Sequence, residues 1–481
     1  MGQPSIKRNY AYKLLYEILL VITPLITAPY ISRVLGPDGV GIYSFTFSNL
    51  TFFTLVATLG TISYGTREIA RCRDSRDLCS KTFWEIECVT IITTILALIG
   101  WMVLIYTSDN NRIYYICWIP QLLSVAFDIS WLYTGLERVG YTVLWNAVCK
   151  ILGIILILLF VKDPNDVALY IIIVSGTLLL GNVSMWLHLR HFVSKVELKR
   201  LELKDHFKET LIYFIPAAAT SIYTVLDKSL IGVITHDNYE NGYYEEATKI
   251  INICKSLVFA SVNSVMNARM AYLFEKERYE EIKEKLHKCL SFILLLAFGC
   301  SFGILGVSDR FVPLFFGSEY VPSVILVNLM SPLVIIIGIS NCLGAQYYTP
   351  SGKRKISARY IIVGAIINLI ANLLLIPTYS ATGAVIGSLI AEATITVLYI
   401  RNCDSYITFA DIGKLCWKRA IAAIVMFCGI KMAAQQINSN TLVILASQII
   451  FGIIIYFVIL LILHDDLVDD AIRYFKRRLK I

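Results

Sequence analysis

From Gly39 to Thr66 the chain carries no charged side chain. A helix of that length crosses the roughly 30 Å hydrocarbon core of a bilayer. Similar apolar runs near twenty residues recur at 11–32, 40–64, 83–106, 113–133, 141–161, 167–187, 211–234, 250–272, 289–307, 322–347, 360–376, 384–400, 420–434 and 442–463. The stretch Tyr360–Ala391 is too long for one helix, and Pro377 and Gly383 predict a hairpin within it. Hydrophobic residues make up 57% and charged residues 16%. Soluble domains hold roughly 45–50% and 25%, and too little polar surface would remain here to cover a soluble core. The expected fold class is an all-α polytopic membrane protein of about 14 transmembrane helices.

Basic residues set the expected orientation. With the N-terminus inside, 34 of the 43 lysines and arginines fall in inner segments, five in outer loops and four within spans. This bias places both termini in the cytoplasm. It also accounts for the net charge of +8, so no nucleic-acid partner is expected. Lys7 and Arg8 precede the first run without a small-residue cleavage site, so the first helix is expected to stay. Glu275–Lys288 has Glu281/Lys285 and Glu284/Lys288 at i,i+4 spacing and an apolar stripe of Tyr279, Ile282 and Leu286, which suits a surface helix. The tail puts Val468, Ile472, Phe475 and Leu479 on one face, flanked by Arg473, Lys476, Arg477 and Lys480. That suits a helix on an anionic leaflet.

An internal repeat is visible. Trp131-Leu-Tyr133-Thr-Gly135 precedes an apolar hairpin broken at Pro164; Tyr347-Tyr-Thr349-Pro-Ser-Gly352 precedes one broken at Pro377. A weaker echo links Gly41-Ile-Tyr43 to Gly242-Tyr-Tyr244. The offset is close to six helices, which predicts two parallel halves. The expected divisions are 1–208, 209–402 and 403–481, the last holding two additional helices and the tail.

Nucleotide and metal chemistry find no support. G-x-x-x-x-G-K-[ST], G-x-G-x-x-G, H-E-x-x-H and C-x-x-C do not occur, and the twelve cysteines are scattered. No cofactor is expected, and the chain is not expected to be an enzyme. Charges inside apolar runs are the informative residues, since each costs about 2.5–3.5 kcal/mol near the bilayer centre on insertion scales. They are Asp128, Lys150, Asp227, Lys228, Glu392 and Lys431, with Lys255 and Arg33 nearer the run ends. Asp227 and Lys228 are adjacent and point about 100° apart on a helix, so at least one needs another partner. Asp128 and Lys150 lie on consecutive helices, where they pair with each other or face a cavity. Ser48, Asn49, Thr220, Thr224, Ser261, Asn263 and Asn267 add polar groups that suit helix packing or a wet wall.

Several motifs resemble the bacterial polysaccharide (O-antigen and capsule repeat-unit) flippases of the multidrug/oligosaccharidyl-lipid/polysaccharide exporter superfamily. They are Ser32-Arg33-Val-Leu-Gly36-Pro37-Asp-Gly39-Val-Gly41-Ile-Tyr43, Leu226-Asp227-Lys228-Ser-Leu-Ile231-Gly232, Gly242-Tyr-Tyr244-Glu-Glu-Ala247, Gln346 with Ser351-Gly352-Lys353, and Gly383-Ala384-Val-Ile-Gly387 followed by Glu392. The resemblance implies two six-helix lobes forming a V-shaped central cavity, plus two C-terminal helices, in the bacterial cytoplasmic (inner) membrane. It implies a polyprenyl-diphosphate-linked oligosaccharide as cargo, membrane lipids as surroundings, and a polysaccharide polymerase and chain-length regulator as partners. On this reading Arg33, Lys150, Lys228 and Lys255 bind the anionic substrate. Asp128, Asp227 and Glu392 couple its movement to H+ or Na+. The competing readings are a multidrug or metabolite antiporter of the same superfamily and a membrane glycosyltransferase or polymerase of the same pathway. The first favours carboxylate-dominated cavities; the second typically carries a large outer loop, which is not seen.

Overall fold

The computed structural model describes residues 6–197, 201–436 and 441–479, without the side chains of residues 6–11, 13, 17, 21, 215–217, 219–220, 222–224, 260–261, 434–436 and 474–479. The expectations for Thr220, Thr224, Ser261 and the Phe475–Lys480 part of the tail lie outside these described side chains. The described elements are helical, with no strand among the described residues. The chain divides into two compact units, Met1–Gly242 and Tyr243–Ile481.

The first unit contains α1 (Ile6–Thr58), α2 (Thr61–Cys72), α3 (Arg76–Thr107), α4 (Arg112–Cys117), α5 (Ile119–Phe127), α6 (Ser130–Gly135), α7 (Gly140–Phe160), α8 (Val167–Trp186) and α9 (Leu203–Thr235), and ends in the first turns of α10 (Asn238–Glu275). The second continues with α11 (Tyr279–Phe316), α12 (Ser323–Met330), α13 (Leu333–Leu343), α14 (Arg354–Arg401), α15 (Phe409–Gln436), α16 (Thr441–Ile462) and α17 (Asp466–Leu479). Eight described helices are long and apolar enough to cross a membrane, or up to ten if each of two bent pairs is one span. The sequence expectation is about 14, and part of the difference has a local cause. Helix α1 is broken at Gly36 (φ 66°, ψ 178°), a conformation open to glycine, and Pro37 follows. Helix α14 is broken at Ser380 (φ 49°, ψ −133°), between Pro377 and Gly383. Across that break Asn368 donates to Ser388 Oγ at 3.4 Å, so the two halves lie side by side.

In the first unit α1 packs on α3, α7 and α9, while α8 lies against α5 and α7. One end is closed by aromatic residues. Phe83 and Trp131 stack at 5.3 Å, the Trp186 indole donates to the Phe127 carbonyl (3.0 Å), and the Tyr133 hydroxyl donates to the Met185 carbonyl (2.6 Å). The Trp-Leu-Tyr-Thr-Gly motif is therefore a packing device, folded as α6. Two glycines mark a tight crossing elsewhere in this unit. A Cβ on Gly41 would lie 1.8 Å from the Asn238 carbonyl oxygen, and one on Gly242 would lie 2.1 Å from that of Pro37. Beside them the Asn238 amide donates to Asp38 Oδ1 at 3.0 Å.

In the second unit α11 packs on α13, α15 and α16, and α13 on α14. Residues Gly344–Tyr348 form a π-helical turn, and the Tyr348 hydroxyl donates to the Tyr399 carbonyl at 3.0 Å. Of the expected surface helix at Glu275–Lys288, Glu275 ends α10 and Tyr279–Lys288 is the first part of the 38-residue α11. There Glu284 and Lys288 form an ion pair (2.5 Å), whereas Glu281 pairs with Arg278 (2.9 Å) and Arg269 (3.3 Å) rather than Lys285. Ile282 and Leu286 are fully buried; Tyr279 is exposed.

Candidate functional site

Two adjoining hollows in the first unit share part of a polar wall. The apolar period of α7 and α8 is interrupted by Asn146, Lys150, Thr177 and Asn182, and α1 and α5 contribute Thr54, Thr58 and Gln121 to the same walls. Polar residues inside apolar helices are stable where they meet one another or enclose water. The hollows measure about 330 and 320 Å³ and share Tyr16, Gln121, Asn146 and Leu178. Each lies at the lower end of the range for small-ligand sites.

The first hollow has an aromatic wall. Tyr43 stacks on Phe47 (5.8 Å between centroids), meets Tyr170 at 4.9 Å and Trp118 at 5.4 Å. The Trp118 indole donates to Thr46 Oγ1 at 2.9 Å, which fixes the ring. The same hollow is lined by Asn146 and Lys150 of α7 and by Thr177 of α8. The Lys150 ammonium forms no ion pair with a described residue, in contrast to Lys431, whose Nζ is 3.1 Å from Asp309 Oδ2. A half-buried cation without an anion is suited to receive one from outside.

The second hollow is lined by hydroxyls, amides and one carboxylate, Asp128. Asp128 ends α5, where the Ser130 backbone N–H donates to its Oδ1 at 3.0 Å. Asn182 is held by its donation to the Ser124 carbonyl (2.9 Å). Asp128 and Lys150 thus line adjoining hollows and do not form an ion pair with each other.

The other sequence candidates lie elsewhere. Arg33 is exposed near the Gly36 break. On α9 Asp227 is buried while the adjacent Lys228 is half-buried, as their different directions on the helix require. In the second unit Lys255 is half-buried with its Nζ 3.4 Å from Asn252 Oδ1, and Glu392 is buried in the latter half of α14. That unit also contains an amide cluster: Gln346 in the π-helical turn donates to Asn263 (3.0 Å) and Asn267 (2.8 Å), and Asn263 donates to Asn341 (3.0 Å).

Three ionisable residues deep in the fold escape a search for charges at the centre of apolar runs. Arg419 and Asp465 form a buried pair (Nε–Oδ2 3.1 Å), with Arg419 also donating to Ser291 at 2.6 Å. Glu87 of α3 is fully buried. It falls just inside the run at 83–106, where an acidic residue reads as the hydrated end of a helix. Its neighbour Glu85, two residues earlier, would have needed the same correction.

Comparison with known proteins adds lineage to this geometry. A family model described as "Polysaccharide biosynthesis protein" matches residues 6–270. The chain is 24% identical over 406 residues to a putative O-antigen transporter of Escherichia coli strain K12, covering 83% of this chain and 97% of that protein. Among solved structures, the lipid II flippase MurJ in an inward closed conformation matches with a TM-score of 0.75 at 16% identity, covering 96% of this chain and 99% of that one. An inward-facing multidrug resistance MATE family transporter of the MOP superfamily matches with a TM-score of 0.60 at 12% identity, over 82% and 94%. At such identities the two structures speak to fold alone.

Proposed function

The chain belongs to the polysaccharide biosynthesis protein family, and from that premise we propose that it flips lipid-diphosphate-linked oligosaccharide units from the inner to the outer leaflet of the bacterial cytoplasmic membrane. It does so as a transporter rather than an enzyme. The observation that carries this reading is the lining of the cavity in the first unit: an aromatic wall, amides and hydroxyls, and one lysine without an ion-pair partner among the described residues. Each component has a counterpart in such a cargo. The apolar faces of sugar rings pack on Tyr43, Tyr170 and Phe47. Sugar hydroxyls exchange hydrogen bonds with Asn146, Gln121 and Thr177. The phosphate charge meets Lys150. The name of the Escherichia coli relative, an O-antigen transporter, agrees with it.

Movement follows alternating access of two lobes, 1–208 and 209–402, with 403–481 appended. Arg33, Lys228 and Lys255 add to the positive field along the route. An interior at −100 mV favours outward movement of each negative charge by about 2.3 kcal/mol, so potential assists export. Asp128, Asp227 and Glu392 provide coupling to H+ or Na+. Polymerase and chain-length regulator receive the exported unit.

The test is depletion of the protein in its own host, followed by leaflet-resolved analysis of lipid-linked saccharides. Accumulation of one such species on the inner face, reversed by wild-type protein but not by Lys150→Glu, is the expected result. Depletion without any such accumulation, or with altered sensitivity to cationic drugs instead, would refute the reading and favour the antiporter. Loss of export in Arg33→Ala and Asp227→Ala at unchanged abundance extends the assignment; wild-type export by both removes those two residues from it.

A further inference from the structure

We propose that the second hollow of the first unit is a sugar-selecting subsite. It takes a sugar that offers hydrogen-bond donors (hydroxyl, acetamido N–H or ammonium) and rejects one that carries a carboxylate, and Asp128 sets the choice. This deepens the transport reading and rests on it.

The two hollows differ in charge and in the hydrogen bonds they can make. Lys150 lines the first. Asp128 lines the second, and no lysine, arginine or histidine is among its described lining residues. Four hydroxyls of the second hollow have already used their hydrogens. Thr54 donates to the Thr51 carbonyl (3.0 Å), Thr58 to that of Thr54 (2.8 Å), Thr61 to that of Thr58 (2.6 Å) and Ser124 to that of Gln121 (2.7 Å). A hydroxyl has one hydrogen and two lone pairs, so these four side chains are left to accept. The Asn182 amide donates to the Ser124 carbonyl at 2.9 Å, and its Oδ1 is an acceptor. Asp128 accepts on both carboxylate oxygens, with Oδ1 steadied by the Ser130 backbone N–H at 3.0 Å.

Polar residues that only hold membrane helices together bond across the helix interface. The four hydroxyl bonds here each span three or four residues of chain, so none clamps helices that are distant in sequence. What remains is a wall of acceptors. Lipid tails cannot satisfy it; a ligand rich in O–H or N–H groups can.

Groups able to donate are placed toward the first hollow. The Gln121 and Asn146 amides and the Tyr16 hydroxyl belong to the wall that both hollows share, and Ser130 adds one hydroxyl beside Asp128. Asn146 stands one turn before Lys150 on α7, about 6 Å along the axis, a separation that one glycosyl phosphate bridges. The phosphate then meets the Lys150 ammonium, and the sugar turns its hydroxyls toward Thr54, Thr58 and Asp128. A volume of about 320 Å³ suits a single sugar rather than a chain of them.

A uronic acid reverses this match. Its carboxylate brings acceptors to a wall of acceptors and a second negative charge to Asp128, and no cation of the hollow offsets it. Selection then comes from repulsion of the wrong sugar as much as from attraction of the right one.

Saturation-transfer NMR titrations of the full-length protein in lipid nanodiscs at neutral pH test this. The ligands are galactose 1-phosphate, galacturonic acid 1-phosphate and glucosamine 1-phosphate; the first two differ only in a hydroxymethyl group that becomes a carboxylate. Wild-type protein is expected to bind galactose 1-phosphate more tightly than its uronic counterpart by about tenfold or more, the effect of juxtaposed like charges. Glucosamine 1-phosphate is expected to bind at least as tightly as galactose 1-phosphate. In Asp128→Asn the gap within the matched pair should close to about threefold or less, whereas in Lys150→Gln all three ligands weaken and the gap remains. Equal affinity for the matched pair in wild type, an undiminished gap in Asp128→Asn, or no binding of any of the three overturns the proposal. If Asp128→Asn does not fold, Thr58→Val takes its place. Loss of that acceptor must weaken galactose 1-phosphate by about threefold or more while leaving inorganic phosphate unchanged; equal effects on both ligands overturn the proposal. The two failures are separate: depletion without accumulation removes the flippase reading, whereas equal binding of the matched pair removes the subsite alone.

Discussion

The glycine crossing in the first unit gives a quantitative test of how closely its helices are packed. Alanine at Gly41 places a methyl carbon 1.8 Å from the Asn238 carbonyl oxygen and 2.6 Å from its carbon. Contacts below 3.0 Å are essentially never made by real Cβ atoms, so the two backbones must part by more than 1 Å. Backbone, unlike a long side chain, has no rotamer by which to give way. Overpacking of this kind typically costs about 1–3 kcal/mol, occasionally more, and a contact this short belongs at the upper end. Gly242→Ala meets the Pro37 carbonyl oxygen at 2.1 Å in the same crossing. The shift that relieves one clash partly relieves the other, so the double variant is expected to lose less than the sum of the singles. Gly413→Ala is the control: nothing lies within 4 Å of its Cβ position in α15, and alanine favours the helix by up to about 1 kcal/mol. Thermal unfolding of the purified protein should fall by several degrees for either crossing variant and stay level or rise for the control, with export lost alongside. Wild-type melting of both Gly41→Ala and Gly242→Ala would refute the close approach itself.

Other outcomes follow from single contacts. Arg419→Ala leaves Asp465 buried and unpaired and should destabilise by about 3–5 kcal/mol, whereas Arg419→Met with Asp465→Leu should recover most of that loss; an uncorrected double variant in denaturant unfolding contradicts it. Asp404, between α14 and α15, is held below the usual carboxylate range by hydrogen bonds from Lys353 and then Tyr347. Because its folded-state pKa is depressed, its contribution is present above the unfolded value of about 3.9 and is lost as pH falls through the folded value. Acidification below about pH 4 should therefore narrow the stability gap between wild type and Asp404→Asn, as read by melting temperature. Tyr133→Phe and Tyr348→Phe each strand a buried carbonyl, of Met185 and Tyr399, and should cost about 0.5–1.5 kcal/mol in the same measurement.

Much of the architecture is legible before any coordinates because a bilayer permits few solutions. An apolar run of twenty residues must be a helix, since every backbone group has to find its partner inside the segment. Breaks are legible where they rest on backbone chemistry, as at Gly36-Pro37. The hairpin expected from Pro377 and Gly383 turns at Ser380, between them, because proline and glycine mark the neighbourhood of a break and packing chooses the residue. Glu275–Lys288 is misjudged for the opposite reason. Its salt-bridge spacing is a property of any charged helix and says nothing of where that helix ends, so the amphipathic turns of α11 run straight into the span.

The site is less legible, and the reason lies in what charge alone conveys. Lys150 and Asp128 are visible as charges in apolar runs, but the aromatic wall of Tyr43, Phe47 and Tyr170, backed by Trp118, has no such signature, since aromatic residues are ordinary in any apolar helix. Glu87 lies near the end of a run, where an acidic residue reads as hydrated, and having no hydrogen-bond partner among the described residues sets it apart from Glu85. The internal repeat, by contrast, carries information that neither charge nor hydropathy holds. The sequence echo matches Tyr133 with Tyr348. In the first unit Tyr133 donates to the carbonyl of Met185, 52 residues on; in the second Tyr348 donates to that of Tyr399, 51 residues on. One bond made twice, at nearly the same spacing, is what a duplicated six-helix unit would retain after its surface has diverged. It predicts that the two tyrosines fail alike when the hydroxyl is removed. The first unit's cavity lies outside that echo, because its aromatic wall and Lys150 come from residues that the repeated motif does not include.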